Sequence, residues 1–408
     1  MNKKLSLGVT ISLIAIACAI TFVVTMTTSL NMYNRKIAGV QQREEIYTKM
    51  EEVDSFVRSN AIAAIDEEIL VESIMNGYMD GIDDDYAKYY SASEYYQKQQ
   101  IESGTLIGTG IVAVRDESGY VRVESVYAGS PAYEQSVVAG DIITAVNAVS
   151  VLEIGAETAI NQLTGDEGTK LTLTIQRGGQ DITKIMVRRS FTISTVSGRL
   201  VDNYGYIRIS GFNSLTADRF STRVDELLAQ EVSGFVIDLR DVSSTYYGAA
   251  AGILNRLMSE SVAATVIYKD GTEKVLVSTT SEQSVNKPIV VLVNENTAGP
   301  GELIAVTLRD YKGAVIVGAN TKGRCRLSEI KSFKDGSAVE VTTAEIKPMS
   351  SDSYEGTGIK PEYAVDMGGA AMDTEAADLS STNDPQVKKA FEVILTLKQN
   401  TADEQINN

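Results

Sequence analysis

The sequence predicts a multidomain chain of mixed β and α/β class, and three patterns predict it. Residues 104–189 read as short alternating strands broken by turns. From residue 204 to 318, near-continuous apolar strands alternate with helical segments, the pattern of an α/β layer with a largely parallel sheet. Ahead of both, residues 5–26 carry no charge, and residues 31–102 hold spaced apolar positions among charged ones. At 408 residues the chain has room for two or three hydrophobic cores.

Composition excludes several functions. Hydrophobic content of 43% and charged content of 22% are those of a globular protein. A net charge of −17 argues against nucleic acid as a partner, because phosphate contacts need clustered Lys and Arg. With no histidine anywhere, His-based triads, imidazole bases and His-ligated metals are impossible. Two cysteines, Cys18 and Cys325, build neither a disulfide framework nor a thiolate cluster, so no metal and no cofactor is expected.

Residues 1–30 read as a cytoplasmic tip and a transmembrane signal-anchor helix. The charge-free run from 5 to 26 would make a helix of about 33 Å, against a bilayer core of roughly 30 Å. Lys3 and Lys4 favour keeping that end in the cytoplasm, although Arg35 and Lys36 follow the run; a cleaved signal peptide is the rival reading. The expected location is the cell membrane, single-pass, with the bulk of the chain extracytoplasmic. A helical segment follows at 31–102, with Ile46, Met50, Val53 and Val57, then Leu70, Ile74 and Tyr78, at steps of three and four. Gly81 and Asp83 to Asp85 end it. Five tyrosines between 86 and 96 read as packing against neighbouring helices rather than as a stacking platform.

The next domain, 103–190, is β-rich. Strands at 111–114 and 121–126 surround a turn; a helix opening at Ser130-Pro, a strand near 142–146, a helix around 154–163 and an alternating strand at 171–177 complete it. Ser130-Pro-Ala, followed by Ala139-Gly-Asp-Ile-Ile-Thr-Ala-Val-Asn147, resembles a PDZ domain, with Gly108-Thr-Gly-Ile111 in the carboxylate-loop position. The resemblance implies that Ile107, Gly108, Thr109, Gly110 and Ile111 form a backbone nest for a peptide carboxylate, with a strand edge pairing the peptide. Thr109 stands where the family usually has an apolar residue.

Residues 191–368 form the α/β domain, and 369–408 a helix opened by Pro385 with a polar tail expected to fray. Gly205-Tyr-Ile-Arg-Ile, Val236-Ile-Asp-Leu-Arg240, Val290-Val-Leu-Val-Asn-Glu295, Arg309-Asp-Tyr-Lys-Gly-Ala-Val-Ile-Val-Gly318 and Gly356-Thr-Gly-Ile-Lys-Pro-Glu362 resemble the carboxyl-terminal processing (tail-specific) serine peptidases. That family works with a serine nucleophile, a lysine base and a glutamine four residues after the lysine. The resemblance places the nucleophile at Gly299, the lysine at Arg324 and the glutamine at Ser328. Glycine carries no nucleophile. A lysine base needs its pKa lowered to about 7–8, whereas arginine starts above about 12 and does not give up its proton. Asp241-Val-Ser-Ser-Thr-Tyr-Tyr-Gly248 replaces the glycine turn that helps form the family's oxyanion hole.

Two functions follow from the resemblance. One is a membrane-anchored extracytoplasmic pseudopeptidase that binds peptides or protein C-termini without cleaving them, as a scaffold or regulator of proteolysis. Homodimers, or heterodimers with an active paralogue, fit that reading. The alternative is an active serine-type endopeptidase cutting extracytoplasmic proteins near their C-termini with a rearranged site, for which Thr297 and Lys322 are the candidate residues. Cys325, without a histidine to lower its pKa, reads as a small strand residue.

Overall fold

A computed structural model describes the backbone of residues 7–280, 284–373 and 382–406, and their side chains except at 7, 9–15, 30–43 and 398–406. Residues 1–74 form one compact unit and 75–408 a second. The first unit holds the helix Leu7–Asn60 and the start of Glu67–Asp80. Among the described residues no helix is long and apolar enough to cross a membrane, so the transmembrane helix expected within residues 1–30 is not found there. Positions 5–7 and 9–15 of that expected span lie outside the residues whose side chains are described.

Within the second unit, the strands Ile111–Arg115, Val121–Val126, Ile142–Val146, Lys170–Arg177 and Gln180–Val187 build one antiparallel sheet. Alternation along Lys170–Arg177 sends Leu171, Leu173 and Ile175 into a core shared with Val121, Val123, Ile143 and Val146. The single helix predicted around 154–163 is two, Val151–Ile154 and Ala156–Asn161. Gly155, at φ 85°, breaks the run where the pattern of apolar residues alone does not. A two-stranded pair, Thr105–Gly108 with Arg189–Thr192, closes the neck of this domain.

The α/β domain is built on six strands in the order Val196–Val201, Tyr204–Ile209, Phe235–Asp238, Ile289–Val293, Val315–Gly318 and Tyr363–Ala364. The first pairing is antiparallel and the other four are parallel. Both faces are covered, which is why its strands read as continuous apolar runs. Phe235, Ile237, Ile289, Val291 and Val293 face the helices Thr216–Leu228, Ala250–Leu257 and Pro300–Lys312. The intervening Val236, Val290 and Leu292 face Val387, Ala390 and Phe391 of the helix Pro385–Ile406. The tail expected to fray falls at residues whose side chains are not described.

The strands Ser261–Tyr268 and Glu273–Thr279 fall inside the 204–318 run expected to form a largely parallel sheet, but they belong to a separate antiparallel sheet. Ser261–Tyr268 turns into Glu273–Thr279 through residues 269–272, where Gly271 has φ 83° and Tyr268 N–H donates to Thr272 O. Four residues cannot carry the crossover that a parallel pair needs. Ala338–Pro348 joins that sheet, flanked by Arg326–Ser332 and by Lys88–Tyr90, so part of the tyrosine-rich stretch pairs as a strand. Tyr86, Tyr89 and Tyr90 are buried at this sheet instead of on a helix face as expected, and Tyr96 is exposed.

One buried charge cluster ties the sheet to the last helix. Arg240 is 1% exposed and spans Asp238 and Asp384, both within 2.7 Å. Asp384 also accepts from Gln386 N–H and Val387 N–H, capping the helix N-terminus. Burial pushes the Asp238 carboxyl up, but the Arg240 guanidinium and the nearby Arg208 hold it below the usual carboxylate range.

Candidate functional site

The strand Ile289–Val293 ends in a turn that Asn294 and Thr297 stitch together. Thr297 Oγ1 accepts from Asn294 N–H at 3.0 Å and donates to Leu239 O at 2.9 Å. Gly299 follows at φ 66°, ψ −120°, as the residue before the helix Pro300–Lys312. This backbone conformation strongly favours glycine. A side chain there also has nowhere to go, because a Cβ on Gly299 would lie 2.2 Å from Ser244 O.

The segment carrying Ser244 is the one that replaces the family's glycine turn. It runs beside the elbow as an extra short strand: Ala298 N–H donates to Val242 O at 2.8 Å, and Ser243 bridges Ala298 in parallel. Asp241, at φ 58°, receives hydrogen bonds on its carboxylate from the side-chain amides of Asn294 and Asn296. Its own N–H donates to Asn294 Oδ1, and Tyr246 N–H donates to Ser244 Oγ. The Asp241 amide is thus tied to the Asn294 side chain of the elbow turn, and the Tyr246 amide to its own segment. Tyr247 is buried beneath it, its hydroxyl 3.5 Å from where the Gly299 Cβ would sit.

Glu302 organises the other side. This fully buried carboxylate accepts Gly299 N–H (3.0 Å), Arg324 N–H (2.8 Å) and Gly323 N–H (2.7 Å), as well as the Thr321 hydroxyl. Burial pushes its pKa up, while these four donors oppose the shift. One side chain thus fixes the nucleophile turn against the loop that carries the base position. That loop is held in turn by Gly356-Thr-Gly358: Gly356 N–H donates to Gly323 O, and a Cβ on Gly323 would lie 2.7 Å from Gly358 N. Glu302 was not singled out from the sequence. Its position three residues after Gly299, at the start of a helix, was the signal that it reaches back to the turn.

Arg324 sits half-buried with its guanidinium carbon 5.2 Å from the Tyr86 ring centre. Ser328 does not approach it. The Ser328 hydroxyl donates to Glu340, a buried carboxylate that also accepts from Tyr90 Oη at 2.6 Å and lies 3.7 Å from Lys98 Nζ. Burial pushes Glu340 up, and the Ser328 and Tyr90 hydroxyls with the Lys98 charge hold it below the ordinary range. Lys98 in turn lies 3.4 Å from Thr245 Oγ1, connecting the helix Ala92–Ser103 to the segment over the elbow.

Thr297 and Lys322 meet through backbone alone, Lys322 N–H donating to Thr297 O at 3.0 Å. The Thr297 side chain is 0% exposed with its hydroxyl engaged, whereas the Lys322 side chain is exposed. Cys325 is buried, donates to Ile346 O, and burial pushes its thiol up.

In the β-rich domain, Ile107, Gly108, Thr109, Gly110 and Ile111 all line one groove of about 310 Å³. Its walls are the strand Ile111–Arg115 and the helix Ala156–Asn161, and Gln97, Gln100 and Ile101 of the helix Ala92–Ser103 close one end. Gly110 has φ 81°, and a Cβ on it would lie 2.1 Å from Ser130 Cβ, so the Ser130-Pro turn dictates glycine there. Within this loop Thr109 N–H donates to Leu163 O, and Ile107 N–H to Gln100 Oε1 at 2.9 Å. The Thr109 hydroxyl is buried without a hydrogen-bond partner among the described residues.

The elbow and the groove lie in two domains that coincide with known families. Residues 203–365 match the model of peptidase family S41, and residues 122–177 that of the PDZ domain. The chain is 26% identical over 371 residues to a carboxy-terminal processing protease of Bacillus subtilis, covering 90% of this chain and 78% of that one. To a carboxyl-terminal-processing protease of Synechocystis it is 24% identical over 363 residues, covering 87% and 78%. Among solved structures, a photosystem II D1 C-terminal processing protease aligns with a TM-score of 0.48 at 22% identity, covering 80% of this chain and 89% of that one. The chain thus carries a peptidase family S41 domain at 203–365 with a PDZ domain ahead of it at 122–177, and it is similar along most of its length to proteins named carboxy-terminal processing proteases.

Proposed function

We propose that this S41 family member binds the C-termini of peptides or proteins without cutting them, as a scaffold or regulator of proteolysis outside the cytoplasm. The observation that carries the reading is the elbow. Position 299 holds glycine, and the Ser244 carbonyl fills the place where a nucleophile's Cβ would be. Support comes from Arg324 at the base position, stacked on Tyr86, and from Ser328, whose hydroxyl is turned to Glu340. The rearranged-site alternative draws no support from Thr297, since its hydroxyl is sealed off and bonded to Leu239 O.

The PDZ groove is the proposed binding site. A ligand carboxylate entering at 107–111 would replace Gln100 Oε1 as an acceptor and offer a partner to the Thr109 hydroxyl. Anchorage by the N-terminal apolar run to the cell membrane, in one pass, belongs to the same proposal. The test is incubation of the full chain with an unstructured protein ending in apolar residues, followed by mass spectrometry. No fragment is expected, and turnover lost on Thr297→Ala or Lys322→Ala would overthrow the non-cleaving reading.

A further inference from the structure

We infer that Arg324, with the Tyr247 hydroxyl beside Gly299, is a second receptor for a ligand carboxylate, separate from the groove at 107–111. The inference rests on the proposed non-cleaving role and deepens it, giving the elbow a ligand in place of a reaction. Glu302 Oε2 accepts both Gly299 N–H and Arg324 N–H, so the two positions are neighbours across one oxygen. From there the Arg324 side chain lays its guanidinium over the Tyr86 ring, and the Tyr86 hydroxyl is fixed in turn by donating to Glu355 at 3.2 Å. Stacking uses the face of a guanidinium and leaves the N–H fork at its edge open.

That fork has no acceptor among the described residues, because both neighbouring carboxylates are engaged elsewhere. Glu302 takes three backbone amides and the Thr321 hydroxyl. Glu355 takes Cys325 N–H at 2.6 Å and lies 3.3 Å from Arg326 Nε, besides accepting from Tyr86. By contrast the half-buried Arg208, Arg256 and Arg309 each meet a carboxylate, of Asp238, Asp225 and Asp310. Tyr247 is 8% exposed, and its hydroxyl, 3.5 Å from where a Gly299 Cβ would sit, also lacks a hydrogen-bond partner among the described residues. Burial raises its pKa, so the phenol keeps its proton and stays a donor. Enclosed polar groups are normally paired, and here two open donors flank position 299. A guanidinium fork matches the two oxygens of a planar carboxylate, and one cation balances its single charge.

The test is calorimetric titration of the full chain in mild detergent, in a Gly110→Ala background that blunts the groove. The probe is a short acetylated apolar peptide as free acid, as amide, and as amide with one internal aspartate. The free acid should still bind, and Arg324→Gln should weaken it at least about tenfold, the worth of one hydrogen bond to a charged group. Arg324→Lys, which keeps the charge and loses the fork, should fall between the two. The plain amide should not bind; recovery by the aspartate would assign the site to acidic side chains, and no recovery to chain ends. Arg324→Gln breaks no ion pair, so the melting temperature should stay at the parent's. A further measurement needs no variant: the free acid should slow modification of Arg324 by butanedione, read by mass spectrometry, and the plain amide should not. No binding of the free acid in this background, equal binding by Arg324→Gln, or no shielding of Arg324 overturns the inference. Peptide recovered whole would then leave the non-cleaving reading standing, whereas fragments would overturn both.

Discussion

Restoring serine at position 299 puts a physical cost on what the site has become. Gly299 holds φ 66°, ψ −120°, a conformation that costs any L-residue about 1–3 kcal/mol. Its new Cβ would stand 2.2 Å from Ser244 O, and backbone cannot swing aside like a flexible side chain. Forcing atoms into a packed site costs roughly a further 1–3 kcal/mol through displaced backbone. Gly299→Ser is therefore expected to destabilise the peptidase domain by on the order of 3 kcal/mol. At about 2–4 °C per kcal/mol for a domain of this size, the melting temperature falls by roughly 5–10 °C.

Calorimetry and urea titration of the single variant read this directly. Gly299→Ser combined with Arg324→Lys and Ser328→Gln should be no better folded and should not cleave. Adding Ser244→Gly, which frees the segment to move off the elbow, should return part of the lost stability. A single variant within about 0.5 kcal/mol of the parent would refute the argument, since that is the scatter of an ordinary surface change. So would turnover by the triple variant.

Other sites give independent checks. Gly110→Ala, whose Cβ would overlap Ser130, should weaken binding of a free-carboxylate peptide at least about tenfold by calorimetric titration, as should amidating the peptide; equal binding of both peptide forms would exclude a carboxylate nest. Asp384→Ala leaves Arg240 buried with one carboxylate fewer and should cost about 3–5 kcal/mol in urea unfolding. Asp238 has a folded pKa below its ordinary 3.8, so its contribution is present above that value and is lost as pH falls through the folded pKa. Stability measured from pH 5 down to 2 should therefore decline, and Asp238→Asn should flatten the slope.

Much of this was legible in the sequence. The apolar runs at 235–238 and 289–293 announced a sheet buried on both faces, and the Ser130-Pro and Ala139-Gly-Asp motifs announced the PDZ domain, because each rests on local pattern. Less legible was everything that depends on long-range pairing. No spacing rule says that Lys88–Tyr90 pairs with Ala338–Pro348, or that the Tyr90 hydroxyl reaches Glu340, 250 residues further along the chain. Nor does one say that Ser328 turns to Glu340. Position 299 was readable as a missing serine, but the closure over it was not. That closure follows from how residues 241–248 bond to Ala298 and Asn294, a contact between segments more than fifty residues apart.

The elbow and the loop beside it need a tie that does not depend on any reaction. Glu302 provides the hold: one buried carboxylate joins the elbow at Gly299 to the loop at 321–324 through four donors. None of those bonds involves the side chains at 299 or 324. The frame is therefore maintained by folding stability whether or not a reaction is performed. Glu302→Ala should leave Gly299, Gly323 and Arg324 amides and the Thr321 hydroxyl without their acceptor. Each orphaned donor that stays buried costs about 1–3 kcal/mol, a loss larger than the relief of burying one carboxylate fewer. Unfolding of the variant should show a deficit of several kcal/mol. Near-parental stability would mean that the elbow does not depend on its buried acid.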